Sequence, residues 1–90
     1  MEVYSNNYLD MDFLEREPII IYVEVKGKRK ITIVKNLPFS INEIRLQLKQ
    51  FKNILGCNGT FKNNYMLLLG DHKNYISDYY KKLGHEVKTI

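Results

Sequence analysis

Two runs of β-branched residues on either side of Gly27 most constrain how this 90-residue chain can fold. The first run reads "IIIYVEV" and the second reads "KITIVKN". In the second run, Ile31 and Ile33 fall on one face and the residues between and after them on the other, which is the period of a β-strand. The two runs therefore predict a β-hairpin with Gly27 in its turn, "KGKRK".

A helix start follows the hairpin after Pro38. Ser40 is a plausible N-cap and Glu43 stands three residues later, as in a capping box. The apolar residues that follow recur at intervals of three and four, which is typical of a helix with one buried face: Ile41, Ile44, Leu48, Phe51 and Leu55. Gly56 is predicted to end this helix.

The rest of the chain predicts two short strands, a second helix and a last strand. The strands lie in "CNGTFKNNYMLLLG", with Asn63-Asn64 between them, and "EVKTI" is the final strand. Asp71 is a candidate cap for the second helix, whose buried stripe would be Ile76, Tyr79, Tyr80 and Leu83. The order ββαββαβ predicts a two-layer α+β domain, with a mostly antiparallel sheet and both helices on one face.

Charge divides the chain into two unequal parts. Residues 1–18 hold five acidic residues against Arg16, whereas the remaining 72 residues hold 13 Lys and Arg against five acids. Residues 1–17 as a whole show neither helical nor strand periodicity, and we expect a flexible acidic leader with a docking turn around 9–14. Residues 18–90 are predicted to form a single, strongly basic domain, and such a surface favours polyanions.

Composition limits the other classes of function. A single cysteine excludes an internal disulfide framework, and no Cys/His spacing suits zinc, so we expect no metal or other cofactor. The N-terminus has no basic region followed by an apolar run, and the longest apolar runs are far shorter than a membrane span. We therefore expect a soluble, cytoplasmic protein without a membrane partner, and a monomer.

Catalysis has little support in the sequence. Cys57 could act as a nucleophile with His72 or His85 as its base, but a lone cysteine in an apolar setting is far more often packing. Asp71 with His72 resembles half of a triad, although no serine or second cysteine accompanies them. No glycine-rich phosphate loop precedes a helix. We predict that the protein is not an enzyme.

The basic residues are more informative than the candidate catalytic ones. Like charges packed at a turn repel one another, and phosphate oxygens would relieve this repulsion with release of counterions. A solvated helix face would explain the helical cations equally well on their own. Taken together with the turn, they predict binding to RNA or DNA through seven cations: Lys26, Lys28, Arg29, Lys30, Arg45, Lys49 and Lys52.

Four motifs in register resemble the eukaryotic-type translation initiation factor 1 family. They are "GKRKITIV", the lysine-rich helix, "CNGT" and "GDHKNYISDYYKKLG", and the agreement extends from about residue 19 to residue 84. The resemblance implies a non-catalytic factor that binds the small ribosomal subunit near the P site. There it would contribute to the fidelity of start-codon selection, together with initiator tRNA and other initiation factors.

The resemblance also implies roles for individual residues. Lys28, Arg29 and Lys30 match the family's rRNA-binding loop, and its basic helix corresponds to the cations of the predicted first helix. Motif positions with an expected structural role are Cys57, Asn58, Gly59, Gly70, Asp71 and His72, the last of which replaces the usual Gln.

Two departures from the family concern the second hairpin and the C-terminus. The turn through Lys62, Asn63 and Asn64 is about five residues shorter than usual and lacks the customary acids, and in the family it faces initiator tRNA. The chain ends in "KTI" where a His-Gly-Phe-like ending is usual. The alternative function is a protein-binding adaptor or a general RNA-binding module of the same fold, with the acidic leader and exposed aromatic residues recruiting other factors.

Overall fold

The computed structural model of the protein describes residues 17–62 and 65–90. These residues form two helices and five strands in the predicted order. The elements are β1 (Ile19–Lys26), β2 (Arg29–Lys35), α1 (Ile41–Leu55), β3 (Gly59–Lys62), β4 (Tyr65–Leu69), α2 (Lys73–Lys82) and β5 (Val87–Thr89). Apart from its last residue, the predicted leader lies outside the described residues. Neither α1 nor α2 is long and apolar enough to cross a lipid bilayer.

The five strands form one sheet in the order β3-β4-β2-β1-β5. β1 and β2 form the predicted antiparallel hairpin, and β2 with β4 and β4 with β3 are also antiparallel. β5 pairs with β1 in parallel, after the crossover through α2. The α+β fold and the mostly antiparallel sheet are therefore confirmed.

The two helices cover one face of this sheet. Ile21 pairs with Val34 and Val34 pairs with Met66, so these three buried side chains share the covered face. The helices add apolar side chains to the same core: Ile44, Leu48 and Phe51 from α1, and Ile76 and Tyr80 from α2. Tyr22 and Leu67 lie on the opposite face, which we call the open face because neither helix covers it.

Tyr80 lies at the centre of the contact between the helices. Its ring stacks on Phe39 with 5.7 Å between centroids and meets Phe51 edge-on at 6.0 Å. Its hydroxyl donates a 2.6 Å hydrogen bond to Oε1 of Gln47 on α1. Burial, with a smaller contribution from neighbouring Tyr79, raises the pKa of the Tyr80 hydroxyl far above its ordinary value. The hydroxyl therefore stays protonated and remains a donor.

The ends of α1 agree with the sequence. The Ser40 side chain accepts a hydrogen bond from the Glu43 N–H at 3.2 Å, and the Glu43 carboxylate accepts one from the Ser40 N–H at 3.0 Å. This is the predicted capping box. Gly56 ends the helix with φ +63°, as predicted.

Three other local predictions are wrong. Ile41 and Leu83 are 57% and 54% exposed, because each lies at the end of a helical stripe that no other described element covers. The N-cap of α2 is His72 rather than Asp71, and its side chain makes no capping bond. The Asp71 carboxylate accepts only a long, 3.4 Å hydrogen bond from the N–H of Lys73.

The hydroxyl of Tyr80 offers a test of the contact between the helices. We predict that Tyr80→Phe lowers the free energy of unfolding by about 0.5 to 1.5 kcal/mol, because Gln47 loses a donor in a partly buried site. Tyr79→Phe is the matched control, since its 3.3 Å bond to Gln50 is exposed. Urea unfolding of both variants measures the difference. Equal stability of the two variants would contradict this account.

Candidate nucleic-acid interface

The β1–β2 hairpin ends in a turn of only two residues, Gly27 and Lys28. Lys26 pairs with Arg29 directly across it, so the strands continue through most of the basic cluster. The five-residue turn predicted from the sequence is therefore too long. Gly27 has φ +62°, a conformation that glycine adopts without strain in a tight hairpin turn.

The strand geometry distributes the cations of the tip over two faces. Lys26 and Arg29 form a cross-strand pair on the open face, whereas Lys30 pairs with Val25 on the other face and Lys28 occupies the turn. All four side chains are exposed. Within residues 17–62 and 65–90, their ion pairing is limited to Lys26 and Glu24 at 4.0 Å, and an exposed pair of this kind contributes little.

The base of this hairpin is held by the Gly-Asp-His motif. The Thr32 side chain is fully buried, and its hydroxyl donates a 2.6 Å hydrogen bond to the carbonyl of Gly70. The same oxygen accepts a 2.9 Å bond from the N–H of His72. The Gly70 N–H in turn donates to the carbonyl of Lys30 at 2.7 Å. These three bonds connect the basic strand to the start of α2.

His72, at the position where the family usually has Gln, makes a polar contact with the backbone. Its Nε2 lies 2.8 Å from the carbonyl of Leu69, so Nε2 carries the proton and donates. A Cβ on Gly70 would lie 2.7 Å from this nitrogen, and Gly70 has φ +103°. The backbone conformation therefore favours glycine here, and a larger residue would also push the His72 ring away from this contact.

The α1 helix supplies a second group of cations. Arg45, Lys49 and Lys52 line a shallow groove of about 240 Å³ together with Leu48 and Asn53. The Arg45 guanidinium lies 5.9 Å from the ring centroid of Phe61 on β3, which is within the range of a cation–π contact. Three cations and an amide along one groove suit a phosphate backbone.

The connection between α1 and β3 relates the last turn of α1 to the position of the hairpin tip. The α1 helix ends at Leu55, and the Asn58 carbonyl accepts a 2.9 Å hydrogen bond from Leu69 at the end of β4. Leu69 pairs with Ile31, only two residues from Arg29. Lys52, in the last turn of α1, therefore lies toward the hairpin tip.

The Cys-Asn-Gly motif lies between α1 and the start of β3, where the space around Gly59 is tight. A Cβ on Gly59 would lie 2.6 Å from Cδ2 of Leu68 and 2.7 Å from the carbonyl of Leu67. Cys57 precedes β3 rather than starting it, and is half-buried against the core. Burial raises the pKa of its thiol more than nearby Lys52 lowers it, which disfavours the reactive thiolate.

The remaining predicted site residues lie at the start of α2 and in the β3–β4 turn. Asp71 is exposed and bonds only to backbone. Within the described ranges, no group of three or more His, Cys, Asp or Glu residues could hold a metal ion. Lys62 ends β3 with an exposed side chain, and Asn63 and Asn64 lie outside the described residues.

Sequence reasoning missed three residues that build this surface. Thr32 was placed only on a strand face, because its partners lie 38 and 40 residues away. Asn53 and Phe61 carry no charge, so a search of the sequence for cations does not identify them as part of the basic groove. The helical period does place Asn53 beside Lys49, four residues earlier, and this signal could have identified it.

Comparison with known proteins assigns this geometry to a family. The family model described as "Translation initiation factor SUI1" matches residues 15–86. The chain belongs to the SUI1 family. The match covers both the basic hairpin and α1, so the two groups of cations lie within the SUI1 region.

Individual relatives agree with this assignment. A "Protein translation factor SUI1 homolog" of Cenarchaeum symbiosum is 36% identical over 73 residues, which is 80% of this chain and 72% of the relative. The homolog of Methanocaldococcus jannaschii is 32% identical over 77 residues, or 84% and 75% of the two chains. The predicted family is therefore confirmed.

The buried hydroxyl of Thr32 provides a test of how the hairpin is held. Thr32→Val keeps the shape but removes both hydrogen bonds, leaving the His72 N–H and the Gly70 carbonyl without their partner. We predict a loss of about 1 to 3 kcal/mol in the free energy of unfolding. Thr32→Ser, which keeps the hydroxyl, should lose only about 0.8 kcal/mol for its missing methyl group. Urea unfolding distinguishes them, and a Val variant as stable as the Ser variant would contradict the role of the hydroxyl.

Proposed function

We propose that this protein is a non-catalytic translation initiation factor that binds rRNA of the small ribosomal subunit near the P site. There it contributes to start-codon selection, in a complex with initiator tRNA and other initiation factors. The observation that carries the proposal is the exposed hairpin tip, whose two-residue turn and flanking strand ends together carry four cations, on the side toward Lys52 of α1. Membership of the SUI1 family supports the same role.

The chemistry of the two basic groups suits RNA better than a small substrate. The tip presents its cations in more than one direction, and the α1 groove is open to solvent. Such a surface binds the phosphates of a folded polyanion and releases their counterions. Burial raises the pKa of the Cys57 thiol, which disfavours the thiolate that covalent catalysis at this residue would need.

A protein-binding adaptor is the second candidate, because the helical layer exposes large apolar side chains. Leu46 and Ile54 on α1 are 65% and 62% exposed, and Tyr75 on α2 is 39% exposed. Replacing Leu46 and Ile54 with Ser distinguishes the two functions. An adaptor would lose its protein partners, whereas an RNA-binding factor would still sediment with small subunits in the absence of other proteins.

The hairpin tip provides the first test of RNA binding. Changing Lys28, Arg29 and Lys30 to Ala should weaken binding to purified small subunits. The plot of log affinity against log salt should become less steep by about 0.7 to 0.9 for each phosphate that the variant no longer neutralises. The fold should be kept, because these side chains are exposed and bury nothing.

A variant with the same change in net charge separates a specific site from general attraction. Changing Lys81, Lys82 and Lys88 to Ala also removes three exposed cations, but from α2 and β5. This control should bind with a smaller change in affinity. Equal effects of the two triple variants would remove the hairpin tip from the binding site.

The short β3–β4 turn leads to a prediction about stringency. Compared with the family's longer acidic loop, it reduces the clash with initiator tRNA and replaces repulsion with the positive charge of Lys62. At an effective dielectric constant near 20, replacing one repulsive charge contact with tRNA by an attractive one changes the interaction energy by about a few kcal/mol at most. We expect weaker discrimination against UUG starts than a typical member provides. Grafting an acidic loop about five residues longer should raise the ratio of AUG to UUG initiation.

A neutral loop of the same length is the control for this graft. It restores the bulk without the charge, and so separates the steric effect from the electrostatic one. Reporter translation with each protein as the sole factor of this type measures the ratio. If the native and both grafted proteins discriminate equally, this turn does not set stringency.

A further inference from the structure

The open face of the sheet has an apolar centre. Tyr22, Ile33 and Leu67 lie side by side across β1, β2 and β4. Toward the hairpin tip, a groove of about 280 Å³ runs along the edge strand β3, and Leu69 at this groove is 42% exposed. Its lining is mainly apolar: Ile31, Asn58, Gly59, Thr60, Leu67 and Leu69. An exposed apolar groove beside a sheet edge is suited to binding an extended segment.

Cations surround this apolar centre. The strand registers place five of them on the open face: Lys26, Arg29, Lys35, Lys62 and Lys88. Among the described strand residues of this face, the acidic one is Glu24, whose carboxylate lies 4.0 Å from Nζ of Lys26. The face therefore complements a ligand that combines apolar and acidic groups.

The chain carries a segment with this chemistry in Leu9–Phe13, "LDMDF". The leader has no period as a whole, but these five residues alternate strictly between apolar and acidic. In an extended conformation, three apolar side chains would face one way and the carboxylates of Asp10 and Asp12 the other. One side of the segment matches the groove and the other matches its cationic rim.

The tether between this segment and the sheet has a suitable length. β1 begins at Ile19, and its residue Glu24 pairs with Ile31, which lines the groove. The five residues from Ile19 to Glu24 span about 17 Å, so the groove lies about this far along the strand from the start of β1. At about 3.3 to 3.6 Å per extended residue, Phe13 can reach roughly 20 Å from Ile19 and Leu9 roughly 35 Å. A short tether also gives an effective concentration in the millimolar range, which favours this segment over a separate partner.

We infer that the Leu9–Phe13 segment binds in the groove of the open face. Its apolar side chains contact Leu67 and Leu69, and its carboxylates, on the outer side of the segment, are reached by the long side chain of Arg29 at the rim of the groove. If the protein binds RNA as proposed above, these carboxylates compete with RNA phosphates for the cations of the hairpin tip; this consequence rests on the proposed function. The leader then lowers the affinity for RNA until a stronger polyanion displaces it.

Methyl NMR of the full chain, without RNA, tests the binding of the segment. Changing Leu9 and Phe13 to Ser should shift the methyl signals of Ile31, Leu67 and Leu69. Changing two apolar residues outside the segment, Val3 and Tyr4, to Ser should leave them in place. Unchanged signals, or equal changes in both variants, would overturn the inference. Signals that depend on protein concentration would overturn it in favour of a second copy.

A binding assay with a short RNA hairpin tests the competition separately. Changing Asp10 and Asp12 to Asn should tighten RNA binding by roughly two- to fivefold for each cation released. The charge-matched control, Glu15→Gln with Glu17→Gln, should change the affinity less. If the two variants bind RNA equally well, the competition is wrong. If no form binds RNA, the proposed function fails, while the NMR result still decides whether the segment occupies the groove.

Discussion

The edge-on contact of Phe51 with Tyr80, both fully buried, determines how the other surfaces of the protein are arranged. Both helices turn their apolar stripes toward this contact and so cover the same face of the sheet. The outer side of α1 is consequently free to carry Arg45, Lys49 and Lys52. For the same reason neither α1 nor α2 lies over the opposite face of the sheet, whose apolar centre lies beside the basic hairpin.

The cations at the hairpin tip repel one another, and neutral hydrogen bonds hold the hairpin against this repulsion. Four cations within five residues oppose one another, and the weak pair with Glu24 offsets little of this repulsion. The strand below the tip is held instead by the buried Thr32 hydroxyl and the backbone of Gly70 and His72. The charges can therefore remain exposed for a ligand while their backbone stays fixed.

Local patterns in the sequence predicted most of the fold. The β-branched alternation of β2, the Ser40–Glu43 box and the final Gly56 all act within a few residues, and the structure has each of them. Contacts distant in sequence could not be predicted in the same way. In the sequence Thr32 is recognisable only as a strand residue, because its partner Gly70 comes beside it only in the folded sheet. Likewise, only the strand register shows that the hairpin turn has two residues. The basic residues were identifiable by charge alone, whereas their division between two faces needed the strand pairing.

The central claim is that exposed cations at one end of the sheet bind phosphates of the small subunit directly. The most direct measurement is the affinity of the unmodified full chain for purified small ribosomal subunits across a salt series, with no other protein present. Neutralising roughly four to seven phosphates predicts that log affinity falls against log salt with a slope of about −3 to −6. An affinity that does not change with salt, or binding that requires another protein, would contradict the account.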